Sequence, residues 1–168
     1  MTYSIKSTIS TTLGSEMFDL EGLIPGAWHG LILQLHLVAT CIMVGVIWFV
    51  QHVHYPLKSY VHEAHFSDYQ SQHMQRTAHI VGIPMLAEAG LAALLLLDPA
   101  IAGQPGLALL NCALLVGVWV CTALFQVPQH EALSLGFEAT VHRLLVRTNW
   151  LRTALWSARA ACAVLLLG

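Results

Sequence analysis

Four long hydrophobic stretches dominate the chain, and shorter polar segments separate them. The stretches cover residues 28–50, 78–97, 107–127 and 150–167. A helix needs roughly 20 mostly apolar residues to cross the hydrocarbon core of a bilayer, and each stretch approaches or exceeds that length. The pattern therefore predicts an all-α fold: an integral membrane antiparallel four-helix bundle over residues 28–168, preceded by a polar tail over residues 1–27.

Two longer polar loops join the first helix to the second and the third helix to the fourth. These loops hold Lys58, Arg76, Arg143 and Arg147, whereas the opposite side of the predicted bundle holds only Lys6. Because cytoplasmic loops carry the excess of Lys and Arg, we expect both long loops in the cytoplasm and both termini outside. Apolar residues recur at helical spacing in each loop, which predicts a short interfacial helix in each.

The two halves of the chain share several residues at a fixed offset. Trp48, Phe66, Arg76 and Thr77 recur 71 positions later as Trp119, Phe137, Arg147 and Thr148. An internal duplication and a chance match within a low-diversity membrane sequence both account for these pairs. A duplication would place a site between the two halves.

Composition agrees with a membrane protein and argues against other classes. Hydrophobic residues make up 57% of the chain, charged residues make up 10%, and the mean hydropathy is +0.67. A net charge of −2 provides no basic field for nucleic acid. The four cysteines lie in apolar stretches without CxxC spacing, which indicates buried free thiols rather than a disulfide framework.

Three ionisable residues fall inside the predicted membrane helices at similar depths. They are His36, Glu88 and Arg159, and charged groups at such positions are rare and usually functional. We predict that these three form a catalytic pocket. The alternative is that Glu88 and Arg159 neutralise each other and fix helix packing. Asn149 and Arg152 share a helix face with Arg159, so together with His36 they are the predicted cofactor-binding residues.

Histidine is the other biased residue type. The chain has ten histidines, and eight of them map to the predicted cytoplasmic side. His54 and His130 stand at the matching exits of helices one and three. Either His73 or His79 approaches from helix two, and of these two we favour His73 as the third member of the set. Imidazole is a common ligand of iron, copper and zinc, so these three residues are the predicted transition-metal site. The alternative is that the histidines are solvated interfacial residues.

A series of short motifs between residues 51 and 159 carries a family resemblance. The motifs are HYPL at 54–57, FxxY at 66–69, HxxR at 73–76, MLxE at 85–88, VPxH at 127–130, GF at 136–137 and NWLRTxxWSxR at 149–159. In these motifs the chain resembles a group of small, uncharacterised bacterial four-helix membrane proteins. The resemblance implies a bacterial inner membrane protein, for which the outer face that holds both predicted termini is the periplasmic face.

Two further resemblances concern haem and oxygen chemistry. His36, Gly45, Tyr55 and Pro56 make the chain similar to the four-helix membrane protoporphyrinogen oxidases, which bind haem. That similarity implies haem with His36 as a ligand, although Glu88 stands where that family has a lysine in its second helix. In size and helix count, the chain also resembles anthrone-oxygenase-like membrane proteins.

These observations predict a membrane-embedded metal- or haem-dependent oxidoreductase acting on a lipophilic substrate. The sequence contains no nucleophile motif and no Gly-rich phosphate loop. A bound transition metal or haem would therefore supply the redox or Lewis-acid chemistry. Two alternatives stay open. One is a non-catalytic subunit of a membrane complex that binds pigment, lipid or partner helices, and the other is a small proton-coupled transporter. The expected partners are the lipid bilayer, a lipophilic small molecule, and either a complex partner or a second copy of the chain.

Overall fold

The computed structural model describes residues 24–168 and is almost entirely helical, with no strand in that range. The predicted all-α class is therefore confirmed. Most of the predicted polar tail, residues 1–23, lies outside the described residues.

Four helical segments account for nearly all of the described chain, and their longest helices are labelled α1 to α4. They are α1 (His29–Phe49), α2 (Glu63–Leu97), α3 (Pro105–Cys121) and α4 (Ala139–Leu165). Short elements extend or join them: Gly26–Trp28, Val50–His54, Tyr55–Leu57, Lys58–Tyr60, Pro99–Ala102, Thr122–Gln126 and Val127–Ser134. α1 thus continues without a break to Tyr60, and α3 continues to Ser134.

The two predicted interfacial helices are not separate elements. Residues 63–77 form the first turns of α2, and residues 139–149 form the first turns of α4. α2 is consequently 35 residues long, or about 52 Å at about 1.5 Å per residue. The apolar periodicity of each loop was helical, as predicted, but no glycine or proline separates the loop segment from the membrane stretch that follows.

Each of these long helices begins at a side-chain cap. The imidazole of His62 accepts a hydrogen bond from the N–H of Ala64, and the carboxylate of Glu138 accepts bonds from the N–H groups of Thr140 and Val141. The hydrogen bond from the backbone of Thr140 is the main reason that the pKa of Glu138 is lowered from its ordinary value. The caps satisfy amide groups that no earlier turn can reach, which fixes where α2 and α4 begin.

Matching π-helical turns interrupt the two segments that begin with α1 and α3. They cover Val50–His54 and Thr122–Gln126, and each is followed at the second position by a proline, Pro56 or Pro128. Proline lacks the N–H of a regular helix and its ring crowds the carbonyl four residues earlier, so a wider turn relieves the conflict. The turns lie 72 residues apart, close to the 71-residue offset seen in the sequence.

The helices pack in a closed order around a common interior. α1 contacts α2 and α4, and α3 contacts the same two helices. Three apolar clusters fill the interior: one near the turn at residues 98–104, one at mid-length around Met43, Val118 and Trp156, and one around Tyr55 and Phe66. The end that holds the third cluster is called the histidine end below.

Three segments are long and apolar enough to cross a membrane: Gly26–Tyr60, Glu63–Leu97 and Pro105–Ser134. This is consistent with the predicted multi-pass membrane protein. α4 is not among these three, and the reason is visible in its sequence, because it carries Arg143, Arg147, Arg152 and Arg159 within 27 residues.

Candidate functional site

A buried ion pair lies at mid-length between α2 and α4. The guanidinium of Arg159 contacts the carboxylate of Glu88 at 2.5 Å, and both side chains are fully buried. The indole N–H of Trp156 donates to the second carboxylate oxygen at 3.1 Å. Arg159 also donates to the amide oxygen of Asn111 on α3, and the amide nitrogen of Asn111 donates to the backbone carbonyl of Arg159. The pair is therefore hydrogen-bonded on both sides and connects three helices.

α1 contributes His36 and Thr40 to the same level. His36 lies beside Asn111 and Arg159, and Thr40 lies beside Glu88. Neither ring nitrogen of His36 has a hydrogen-bond partner among the described residues, and neither does the hydroxyl of Thr40. The structure thus brings together the predicted catalytic residues His36, Glu88 and Arg159, while a catalytic role for them stays a prediction.

A second polar region lies at the histidine end, where His54 and His73 are in direct contact. Nε2 of His54 and Nδ1 of His73 are 2.9 Å apart, and the hydroxyl of Thr77 lies 3.0 Å from the same Nδ1 atom. Nε2 of His73 has no hydrogen-bond partner in the described part of the chain. It is therefore the ring nitrogen of His73 that a bound molecule could use.

His130 belongs to a hydrogen-bonded chain whose direction can be assigned. The ammonium of Lys58 can only donate, and it lies 2.6 Å from the amide oxygen of Gln70. The amide nitrogen of Gln70 therefore faces Nδ1 of His130, at 2.8 Å, and donates to it. In neutral His130 the proton is then on Nε2, which donates to the Tyr55 hydroxyl at 2.8 Å. Tyr55 donates in turn to the amide oxygen of Gln126 at 3.4 Å.

Sequence reasoning did not select Lys58, Gln70 or Gln126 as site residues, and Tyr55 entered only as part of a motif. All four are buried. The one signal that the sequence offers is position: three of them lie within two residues of Pro56 or Pro128, where helices were predicted to end, and Gln70 lies in the polar first part of α2. That signal does not identify which of them meet.

A cavity of about 280 Å³ lies above this chain, toward mid-length. His73, His130 and Tyr55 form its polar floor, and Arg152 also lines it. Its remaining walls are mostly apolar, from Met43, Val46, Ile47, Val50, Met74, Ala78, Val81 and Val127, with Thr77, Thr122, Gln126 and Glu131 adding polar atoms. The result is an apolar chamber with a few convergent polar groups, the usual character of a small-molecule site.

Arg152 and Asn149, two of the predicted cofactor-binding residues, lie at the level of this cavity. Arg152 donates to the amide oxygen of Asn149 at 3.1 Å, and Asn149 donates to the side-chain oxygen of Gln51 at 2.8 Å. Seven residues separate Arg152 from Arg159, which is about 10 Å along α4. Because His36 lies beside Arg159, the predicted set of His36, Asn149 and Arg152 is divided between two levels of the interior.

The predicted metal site of His54, His73 and His130 was tested against its geometry. The three rings are close, with centroids 4.5 Å apart for His54 and His73 and 5.2 Å apart for His73 and His130. However, both nitrogens of His130 are hydrogen-bonded to protein, and His54 and His73 are bonded to each other. Within residues 24–168, no group of three or more His, Cys, Asp and Glu side chains is arranged to hold a metal ion. The described residues therefore give the metal assignment no support.

Removing one member of the buried ion pair tests its role in stability. We expect Glu88→Gln to lower the free energy of unfolding by roughly 3–5 kcal/mol, because it leaves the buried Arg159 charge without its counter-ion. The double variant Glu88→Gln, Arg159→Gln removes both charges and should recover part of this loss. Unfolding in detergent micelles measures both, with Glu131→Gln at an exposed position as the control. A loss for Glu88→Gln no larger than for the control would contradict the prediction.

Comparisons with protein-family models, curated proteins and solved structures found no match for this chain.

Proposed function

We propose that the protein is a multi-pass membrane protein in which α4 crosses the bilayer together with the three apolar segments. The burial of its charges supports this for α4: Arg159 and Arg152 are 0% and 7% exposed, whereas Trp150, Leu151 and Val164 are exposed. An arginine that faces the interior between the helices does not contact lipid, so the overall composition of α4 understates how apolar its lipid-facing surface is.

The orientation proposal rests on the exposed arginines. Arg76, Arg143 and Arg147 are exposed at the histidine end, and no Lys or Arg lies at the opposite end among residues 24–168. The excess of positive charge on cytoplasmic segments supports a cytoplasmic location of the histidine end, and the proposed membrane is a bacterial inner membrane. If the hydrocarbon begins near Leu97, its thickness of about 30 Å ends about 20 residues earlier in α2, near Thr77. The cavity then straddles the cytoplasmic boundary of the bilayer.

Within this arrangement, the cavity is the site of a lipophilic small molecule. The observation that carries the proposal is the cavity itself, because its apolar walls lead from the membrane level down to His73, His130 and Tyr55. A groove on the outer surface between α1 and α2 shares five lining residues with the cavity: Val46, Val50, His73, Thr77 and Val81. A molecule dissolved in the bilayer could therefore enter sideways between these two helices.

The polar floor is suited to proton transfer. His73 has an unused ring nitrogen, and the Tyr55 hydroxyl is joined through His130 and Gln70 to Lys58. Gln70 does not relay protons, because its amide neither gains nor loses one at neutral pH; Gln70 and Lys58 instead fix the tautomer of His130. A proton can be exchanged between the His130 ring and the Tyr55 hydroxyl, which are in direct contact. The protein is accordingly proposed to be an enzyme that transforms a lipophilic substrate, with His73 and Tyr55 as the acid–base groups.

Dependence on a metal or haem, and with it the oxidoreductase assignment, stays a prediction. Atomic absorption and an optical spectrum of the purified protein test it directly, provided that the affinity tag contains no histidine. Iron, copper, zinc or haem at a ratio near one per chain would support it, and a sample that is active without any of them would contradict it.

The transporter and accessory-subunit alternatives also stay predictions. Glu88, the intramembrane carboxylate that a proton-coupled transporter would use, is paired with Arg159.

Blocking the cavity tests whether a lipophilic molecule binds there. We expect a long-chain alcohol with a photoreactive diazirine to label cavity residues, as mapped by peptide mass spectrometry. Ala78→Trp should abolish this labelling, because the indole would fill the chamber next to Val81. Ala93→Trp places the same ring on the exposed face of α2 outside the cavity and should leave labelling unchanged. Labelling that is spread evenly over all exposed helix faces would contradict the proposal.

Loss of His73 tests the catalytic proposal. Cells that express the protein should accumulate a lipophilic product absent from cells without it, as detected by mass spectrometry of membrane extracts. His73→Gln should remove this product, because glutamine cannot exchange a proton at neutral pH. His79→Gln is the matched control, since His79 lies on the same helix but is exposed and bonds only to the backbone of Gln75. Equal product with both variants would exclude His73 as a catalytic residue.

A further inference from the structure

Arg152 is a buried cation without a carboxylate partner in the described part of the chain. Its side chain is 7% exposed, and it lines the cavity. The two ion pairs among residues 24–168 are Glu88 with Arg159 and His29 with Asp98, so neither involves Arg152. Burying a charge is costly unless an opposite charge or strong hydrogen bonds compensate for it. Arg152 therefore lacks the compensation that Arg159 has.

The existing contacts of Arg152 leave part of its guanidinium unused. One nitrogen donates to Asn149, the guanidinium carbon lies 5.1 Å from the centroid of the Trp156 ring, and the Tyr55 hydroxyl lies beside the group. The Nε atom is buried and has no hydrogen-bond partner among residues 24–168. A guanidinium carries five N–H donors in a planar fork that matches a carboxylate or a phosphate. Asn149 and Trp156 hold this fork in place, and the remaining donors are left for an acceptor.

The cavity around Arg152 limits the size and polarity of a molecule that could carry this acceptor group. The cavity volume of about 280 Å³ suits a head group and a few methylene groups, and the apolar opening between α1 and α2 leads out to the membrane level. Glu131 is the only acidic residue that lines the cavity, and it is exposed and makes no ion pair with Arg152. Arg152 is the only Lys or Arg among the residues that line the cavity, so the cavity presents one positive charge, which favours a carboxylate over a doubly charged phosphate monoester.

We propose that the cavity binds a single-chain amphipathic carboxylate, whose head group pairs with Arg152 and whose tail leaves between α1 and α2 along Val46 and Val81. This inference rests on the proposed function and adds the charge of the ligand to it. The ligand carboxylate takes the place of the missing counter-ion of Arg152. Its first methylene groups then lie against the apolar wall, near His73 and the hydroxyl of Tyr55.

The test compares two probes that differ only in the head group. A sixteen-carbon fatty acid and the matching alcohol, each with a diazirine at the same chain position, are added separately to the full-length protein in nanodiscs at pH 8, where the acid is ionised. We expect the acid to half-saturate labelling of cavity peptides at a concentration at least about tenfold lower than the alcohol. Arg152→Gln should abolish this preference, and Arg147→Gln, at an exposed position on the same helix, should keep it.

The outcomes separate the two proposals. Equal half-saturation of the cavity by acid and alcohol in the unmodified protein would overturn the carboxylate inference and leave the lipophilic site intact. Cavity labelling by neither probe would overturn both. The comparison within the unmodified protein decides the inference even if Arg152→Gln fails to fold. A phosphate-ester probe of equal chain length that binds more tightly than the acid would also overturn it.

Discussion

The contact between Glu88 and Arg159 sets the geometry on which the rest of the interior depends. α2 and α4 are not neighbours in the packing order, since each lies between α1 and α3. The ion pair reaches across the interior between them, and Asn111 and Trp156 complete its hydrogen bonds from α3 and α4. Water does not solvate a charge that is fully buried at this depth, so removing either partner leaves the charge of the other uncompensated. The pair thus fixes the depth of α4 relative to α2.

A buried charge must also be compensated at the histidine end, but there hydrogen bonds and aromatic rings surround it instead of a counter-ion. Lys58 is as fully buried as Arg159, but its contacts are the amide oxygen of Gln70 and the faces of Tyr55 and Tyr69. Its charge orients the amide of Gln70 and, through it, the tautomer of His130. The histidines of this region are therefore mostly occupied as members of a hydrogen-bonded network. This occupation explains why a cluster that resembles a metal site by residue type does not present its nitrogens to a common point.

The sequence could predict the features that follow from periodicity and depth. The helical class and the core of each helix follow from the lengths of the apolar stretches, and counting residues from the helix ends placed Glu88 and Arg159 at one level. Features that depend on side-chain direction could not be predicted. His36 and Arg152 lie on faces that point inward, yet only the packing order shows that Arg152 meets the cavity near His130 while His36 remains beside Asn111. The merging of the loop helices with α2 and α4 depends on caps at His62 and Glu138, whose effect is local and easily overlooked.

The paired π-helical turns explain why the cavity lies where it does. Each turn widens a helix just before a proline, and the residues that follow the two turns include Tyr55 and His130. A regular helix would carry Pro56 or Pro128 only with a break or a kink. With the wider turn both helices continue, and their last turns bring Tyr55 and His130 to 2.8 Å from each other across the interior.

The separation of the two turns, 72 residues, nearly equals the 71-residue offset between the matching residues of the two halves. An internal duplication would leave this pattern, and under that interpretation the cavity lies between the halves. Only one half then supplies the buried Arg152, because the position 71 residues earlier is Val81. The asymmetry places a charge on one wall and an apolar side chain on the other, as an amphipathic ligand requires.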